Sequence, residues 1–270
     1  MLNRICRECY SDPQAVYETL KQRGMDLVTV TDHDSIDAVE QLRKYHDFFL
    51  SEEVTCTTPN GNEIHLGVYG IDEKRHHELQ RRRNDLPSFT SYLSEQRLFS
   101  SINHVFSCLT GRRTDQDFAF FEHFIPGVEV INGHMPPSSN LSAAELARRW
   151  RKAAVGGSDA HTLAGLGHTY TQVPTAAGVE SYLLGLKRGR SKVWGASGNY
   201  FKLTRVIVEI GLQMTGENEW ATALAPLLLA VPIVTLFSYV SEIIFADKWA
   251  RRVMNEGNLA RVLYLPRGVE

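Results

Sequence analysis

Six residues of metal-ligand type fall where buried strands are expected to end: His33 in TDHD, Glu53 in SEEV, His65 in EIHLGVYG, His104 in INHVF, and Asp159 with His161 in GGSDAHT. A strand turns alternate side chains to one face, so Asp159-x-His161 can present both ligands in the same direction as a chelating pair. Neutral imidazoles mixed with carboxylates suit Zn, Mn or Fe, and a set gathered from several strands suits a centre of two or three ions. Close ions of this kind clamp the attacking and leaving oxygens of a phosphoryl displacement and make water more acidic. Taken singly, each residue reads more simply as a hydrogen-bonded structural group. The set, in its order, carries the chemistry.

The elements that must position these residues alternate along the chain. QAVYETLKQR, residues 14 to 23, places Val16 and Leu20 four apart and closes at Gly24, the pattern of a helix with a glycine cap. DLVTVT, residues 26 to 31, is β-branched and apolar and stops at Asp32-His33-Asp34, which reads as a buried strand. Further strands fit residues 52–57, 63–69, 100–104, 127–131 and 155–158, with helices over 35–45, 73–98 and 142–152. Residues 170–190 read as one more strand and helix, the helix over 176–187. This alternation predicts an α/β fold, a parallel barrel or doubly wound sheet, with its site at the strand C-termini.

Thr31-Asp32-His33-Asp34, Glu53, His65-Leu66-Gly67, Asn103-His104-Val105 and Gly157-Ser158-Asp159-Ala160-His161 resemble, in type and order, the motifs of the polymerase-and-histidinol-phosphatase (PHP) superfamily of metal-dependent phosphoesterases. The resemblance covers residues 9 to 195 and implies a distorted (β/α)7-type barrel. It also implies a site in which His33, Glu53, His65, His104, Asp159 and His161 hold two or three divalent ions, with His33, Glu53 and Asp159 closest to the chemistry. The expected substrate is a small phosphorylated compound or a short nucleic acid. Members of the superfamily open with D-x-H-x-H on their first strand, whereas His33 is the first histidine here. The first strand and its two ligands are therefore expected to be missing, either because the sequence starts late, the favoured reading, or because the lineage has lost the strand and with it full activity.

Substrate phosphate needs a cation. Arg112 and Arg113 in TGRRTD are candidates because guanidinium forks match phosphate oxygens, although a solvated loop is the simpler reading, and His134 flanks an expected site loop. Cys6-x-x-Cys9 has zinc-knuckle spacing without a second pair, and His76-His77 is expected on a solvated helix face.

The 270 residues are 43% hydrophobic and 22% charged, which suits a folded domain, and the net charge of −2 excludes a global basic field for nucleic acid. Four cysteines and a polar start from Met1 to Tyr10 place the main domain in the cytoplasm. Residues 1–195 are expected to form the PHP-like domain and 196–270 a helical region. Its segment 221–246 carries no charge from 221 to 241 and is followed by Lys248, Arg251 and Arg252. That length and flank suit membrane association, and an apolar hairpin covering the barrel is the competing reading. The alternative function is a catalytically degenerate PHP-like module, tethered to a membrane as a binding or scaffold protein.

Overall fold

The short linker between β1 (Ser51–Thr57) and β2 (Glu63–Tyr69) decides the sheet's first pairing. Five residues cannot carry a crossover helix, so the two strands run antiparallel, Glu53 opposite Gly67 and Thr55 opposite His65. The computed structural model describes residues 9–37 and 41–255. β2 pairs antiparallel with β3 (Phe99–Ile102), whereas β3, β4 (Gly127–Asn132) and β5 (Ala153–Gly157) are parallel. The order is β1-β2-β3-β4-β5. Helices α4 (Asp115–Phe124) and α5 (Pro137–Trp150) supply the two parallel crossovers.

The expectation of a parallel barrel is corrected: among the described residues the sheet is mixed and open. At its β1 edge the stretch predicted as strand 26–31 makes only one isolated parallel bridge, Val28 to Phe48, and His33 just beyond it makes another to Glu53. Beyond β5 lies a ribbon of β6 (Thr169–Gln172) and β7 (Lys192–Gly195), which are connected through α6 (Val179–Lys187), packed against β5 and β3. The Thr171 side chain joins the ribbon to β5 through the backbone of Gly156. The two ends of this arc approach each other where Arg23, just past α1 (Pro13–Gln22), donates to the carbonyl of Leu166.

Two helix predictions change. The helix expected over 73–98 is two, α2 (Glu73–Arg82) and α3 (Leu86–Glu95). Asp85 caps α3 by accepting from the Ser88 amide, and Pro87 fits its first turn, where no amide donor is needed. In the helix expected over 35–45, residues 41–44 are turns, and 38–40 lie outside the described residues. His76 is not on a solvated face: its Nδ1 lies 2.6 Å from Oε2 of Glu52, which is fully buried on β1.

The core lies between sheet and helices, and includes Leu66, Ile102, Phe118, Phe121 and Leu146. It extends across residue 195. Ala246, Trp249 and Val253 from α8 (Val231–Asn255) belong to the same cluster, with the Trp249 ring stacked on Phe118 at 5.4 Å between centroids. Glu242 of α8 is held by Ser107 Oγ at 2.9 Å and by the Cys108 amide at 3.0 Å, in the turn that follows His104.

Candidate metal centre

Glu53 stands at the centre of the first donor cluster. From β1 its Oε1 lies 3.0 Å from Nε2 of His104 and 3.2 Å from Nδ1 of His65, while Oε2 lies 3.9 Å from Nε2 of His33. The strand register explains this gathering, because His33 bridges to Glu53 on one side and β2 follows β1 on the other. Burial alone would raise the Glu53 carboxyl, yet the hydrogen bonds from His104 and His65 hold it well below the usual carboxylate range. Burial would likewise lower His104, and the bond to Glu53 with the charges of Glu129 and Asp159 instead lifts it to about 9. The cluster therefore draws positive charge.

His134, Asp159 and His161 form a second cluster, in which one donor atom of each lies within 4.8 Å of the others. The same holds for His33, Glu53 and His65. The His134 and His161 rings stack at 5.4 Å, and the His161 Nδ1 lies 3.0 Å from the Asp159 carbonyl. Burial, outweighing the pull of Asp159, keeps His134 below the ordinary histidine range, which favours the neutral, ligating imidazole.

Asn132 joins the clusters. Its amide donates to Glu129 at 3.1 Å and to Asp159 at 3.1 Å, and Glu129 in turn accepts the His104 backbone N–H at 2.8 Å. Burial pushes the Glu129 carboxyl up to about 8. Three non-glycine residues here, Asp34, His104 and Asp159, have φ of 53°, 27° and 48°, and such left-handed backbone is retained where the surroundings over-determine it, often at functional sites.

The donor set fits divalent cations on two observations of its own. It mixes imidazole with carboxylate oxygens, as borderline-soft ions prefer. Two of its ring nitrogens, Nδ1 of His104 and Nε2 of His134, are buried with no hydrogen-bond partner, which is costly unless something accepts their lone pair or proton.

All six sequence-predicted ligands thus fall in two neighbouring clusters, four in the first and two in the second, and His134, expected beside the substrate, stands among the second set. The arginines lie elsewhere. Arg113 is buried and donates to the carbonyls of Glu63 and Thr110 and to the Thr110 hydroxyl, so its guanidinium is committed to the loop, and Arg112 is exposed on the same turn. Asp34, a neighbour of His33, is engaged by the Thr55 amide and by Arg83.

Lys202 is the cation that sequence reasoning missed. It lies in the first turn of α7 (Tyr200–Glu217), and its Nζ donates to the Gly133 carbonyl at 2.7 Å. Burial holds its ammonium below the ordinary lysine range, against the opposing pull of Asp159. The approach is close because Gly198 has no side chain: a Cβ there would stand 2.1 Å from the His134 carbonyl oxygen. Asn140 fixes the same loop by donating to Ser197 Oγ at 2.9 Å. No motif marks Lys202, and it lies past the boundary drawn at residue 195.

A family model described as PHP-associated matches residues 137–190, which run from α5 through the Asp159-x-His161 turn to the end of α6. The fold is similar to that of PsfC from Pseudomonas syringae, with a TM-score of 0.53 and 17% identity, over 76% of this chain and 89% of that one. It is also similar to a two-domain protein from Bacteroides vulgatus containing a predicted PHP-like metal-dependent phosphoesterase, with a TM-score of 0.51, 16% identity and 70% of this chain covered. The match spans 61% of the length of that Bacteroides protein. No curated protein matches the chain. The fold is therefore a PHP-like α/β fold. The PHP resemblance read from the motifs is borne out by this fold together with the PHP-associated segment; the first strand expected to be missing would precede Cys9 and lies outside the described residues.

Proposed function

We propose that the chain is a metal-dependent phosphoesterase acting on a phosphomonoester, a nucleotide or a short oligonucleotide. The observation that carries this reading is the convergence of two imidazole–carboxylate clusters joined through Asn132. In this reading His33, Glu53, His65 and His104 hold one part of a Zn, Mn or Fe centre, and His134, Asp159 and His161 the other. Bound there, such ions would polarise the phosphoryl group and acidify water.

The chain's own groups have separable tasks. Glu53, ionised and central, supplies the charge that holds cations between the histidines. Asn132 fixes the Asp159 carboxylate and, through Glu129, the His104 backbone. Lys202 exchanges its carbonyl partner at Gly133 for a phosphate oxygen, a stronger acceptor, and so orients the substrate. The two donor sets supply the acid–base and electrostatic groups without the arginines, which are committed or exposed elsewhere.

The test is hydrolysis by the full chain of p-nitrophenyl phosphate, bis-p-nitrophenyl phosphate, nucleotides and short oligonucleotides, with Zn, Mn or Fe(II) added. Turnover of at least one class that EDTA abolishes and Glu53→Gln removes is the expected result. Metal binding without turnover across the panel would overturn the enzyme reading in favour of a binding or scaffold module, and turnover of amides or carboxylic esters alone would move the reaction class.

A further inference from the structure

The first half of α8 is polar inside and apolar outside. α7 runs out from the site, and the tightly wound segment Glu219–Ala230 returns along it, with Leu228 packed against Gly211. Where α8 begins, Thr204 and Thr235 share a hydrogen bond of 2.8 Å and the Tyr200 hydroxyl donates to the Pro232 carbonyl at 3.1 Å. Over the first half of α8, residues 231–242, the buried groups are thus Thr235, 1% exposed, and Glu242, 4% exposed, while its second half enters the core through Ala246, Trp249 and Val253. Its outward groups are Ile233, Phe237, Val240 and Ile244, spaced along one face and 43–71% exposed. A water-facing helix has the opposite arrangement.

The apolar surface continues past this face. Residues 222–227 are exposed in succession, hence on every side of that segment, and Leu229 is 84% exposed. Among the described residues one helical run, Trp220–Met254, is long and apolar enough to cross a membrane, with mean hydropathy 2.1 and 6% of its apolar window buried. Exposed apolar area of this extent marks an interaction surface.

Shape chooses among occupants. A second copy of the chain covers one face of a helix and leaves a polar rim, which suits neither the all-round exposure of 222–227 nor the run without charge from 220 to 241. A fluid lipid phase covers whatever apolar surface is turned outward and needs no complementary partner face. Full crossing would carry the Arg205–Glu209 pair of α7 into hydrocarbon alongside the segments packed on it, whereas side-on immersion leaves charged groups among the headgroups.

We propose that the outer faces of the Glu219–Ala230 segment and α8 dock side-on into a lipid bilayer and hold the donor clusters at the membrane surface. The catalytic reading is not required for this. The anchor is rigidly joined to the domain, because the same α8 is fixed by Glu242 to the Ser107-Cys108 turn and by Trp249 to the core.

The full-length chain is floated on a density gradient with phosphatidylcholine vesicles at low and high NaCl. Most of it is expected to rise with the lipid at both salt levels, because apolar immersion does not depend on charge. Ile233→Ser, Phe237→Ser and Ile244→Ser combined should lower the bound fraction by at least about tenfold. If that variant melts at a lower temperature than the parent, Leu227→Ser with Leu229→Ser replaces it and should have the same effect. A parent chain that stays at the bottom of the gradient, as monomer or as a discrete oligomer, overturns the proposal. So does a folded variant that floats as the parent does.

Discussion

Asn132 and Lys202 are the residues on which the site's geometry turns, and neither is a ligand. Asn132→Ala removes the donor shared by the buried Glu129 and the half-buried Asp159, and leaves Glu129 with the His104 amide alone. A loss of about 1 kcal/mol in unfolding free energy follows from the two lost hydrogen bonds, measurable by urea titration in EDTA. An unchanged midpoint would contradict the bridging role. Lys202→Ala should raise KM for the phosphate substrate by about 10- to 100-fold, the worth of a charged hydrogen bond, with metal content unchanged. Lys202→Arg should recover part of that loss. An effect on kcat alone would argue against substrate orientation. The ligands were legible in sequence because motifs and strand ends place them. Lys202 was not, because its position depends on how α7 lies against the Gly133 carbonyl, and that contact spans 69 residues of chain.

At the scale of elements, alternation of helix and strand was readable, but strand direction was not fully so. The short linker at residues 58–62 was the available signal for an antiparallel β1-β2 pair, and it outweighs the parallel expectation drawn from the rest of the chain. The reach of α2 was hidden for another reason. KRHHELQRRR has the composition of a solvated face, yet the fold turns His76 onto a glutamate that β1 buries. Burial raises Glu52 above its ordinary range, with His76 opposing, so the pair is a compensated defect of the interior. His76→Ala leaves that carboxyl with Gln80 alone at 3.5 Å. A destabilisation of about 1–3 kcal/mol is expected from chemical denaturation, largest at neutral pH where Glu52 must otherwise protonate.

For the whole molecule, acid stability is set in part where α1 meets the sheet. Asp47 accepts from the Tyr17 hydroxyl at 2.8 Å and pairs with Lys21 at 2.6 Å. Burial raises its carboxyl, and these two partners more than offset that, so its folded value is depressed. A depressed acid stabilises the fold above its unfolded pKa of about 3.9, and the contribution is lost as pH falls through the folded value. Asp47→Asn should therefore flatten the fall in melting temperature between about pH 5 and pH 2, and an unaltered slope would contradict the assignment.

The α1 contact, the mixed sheet and the helices that deliver Lys202 and Glu242 all serve one arrangement, two donor clusters joined at Asn132. That arrangement is tested most directly by elemental analysis of the full chain after equilibration with Zn or Mn and removal of free ions. Each cluster should hold metal, with Glu53→Gln emptying the first and Asp159→Asn emptying the second, each lowering the content of the parent. A parent chain that retains less than one ion, or whose content neither substitution changes, would contradict the account.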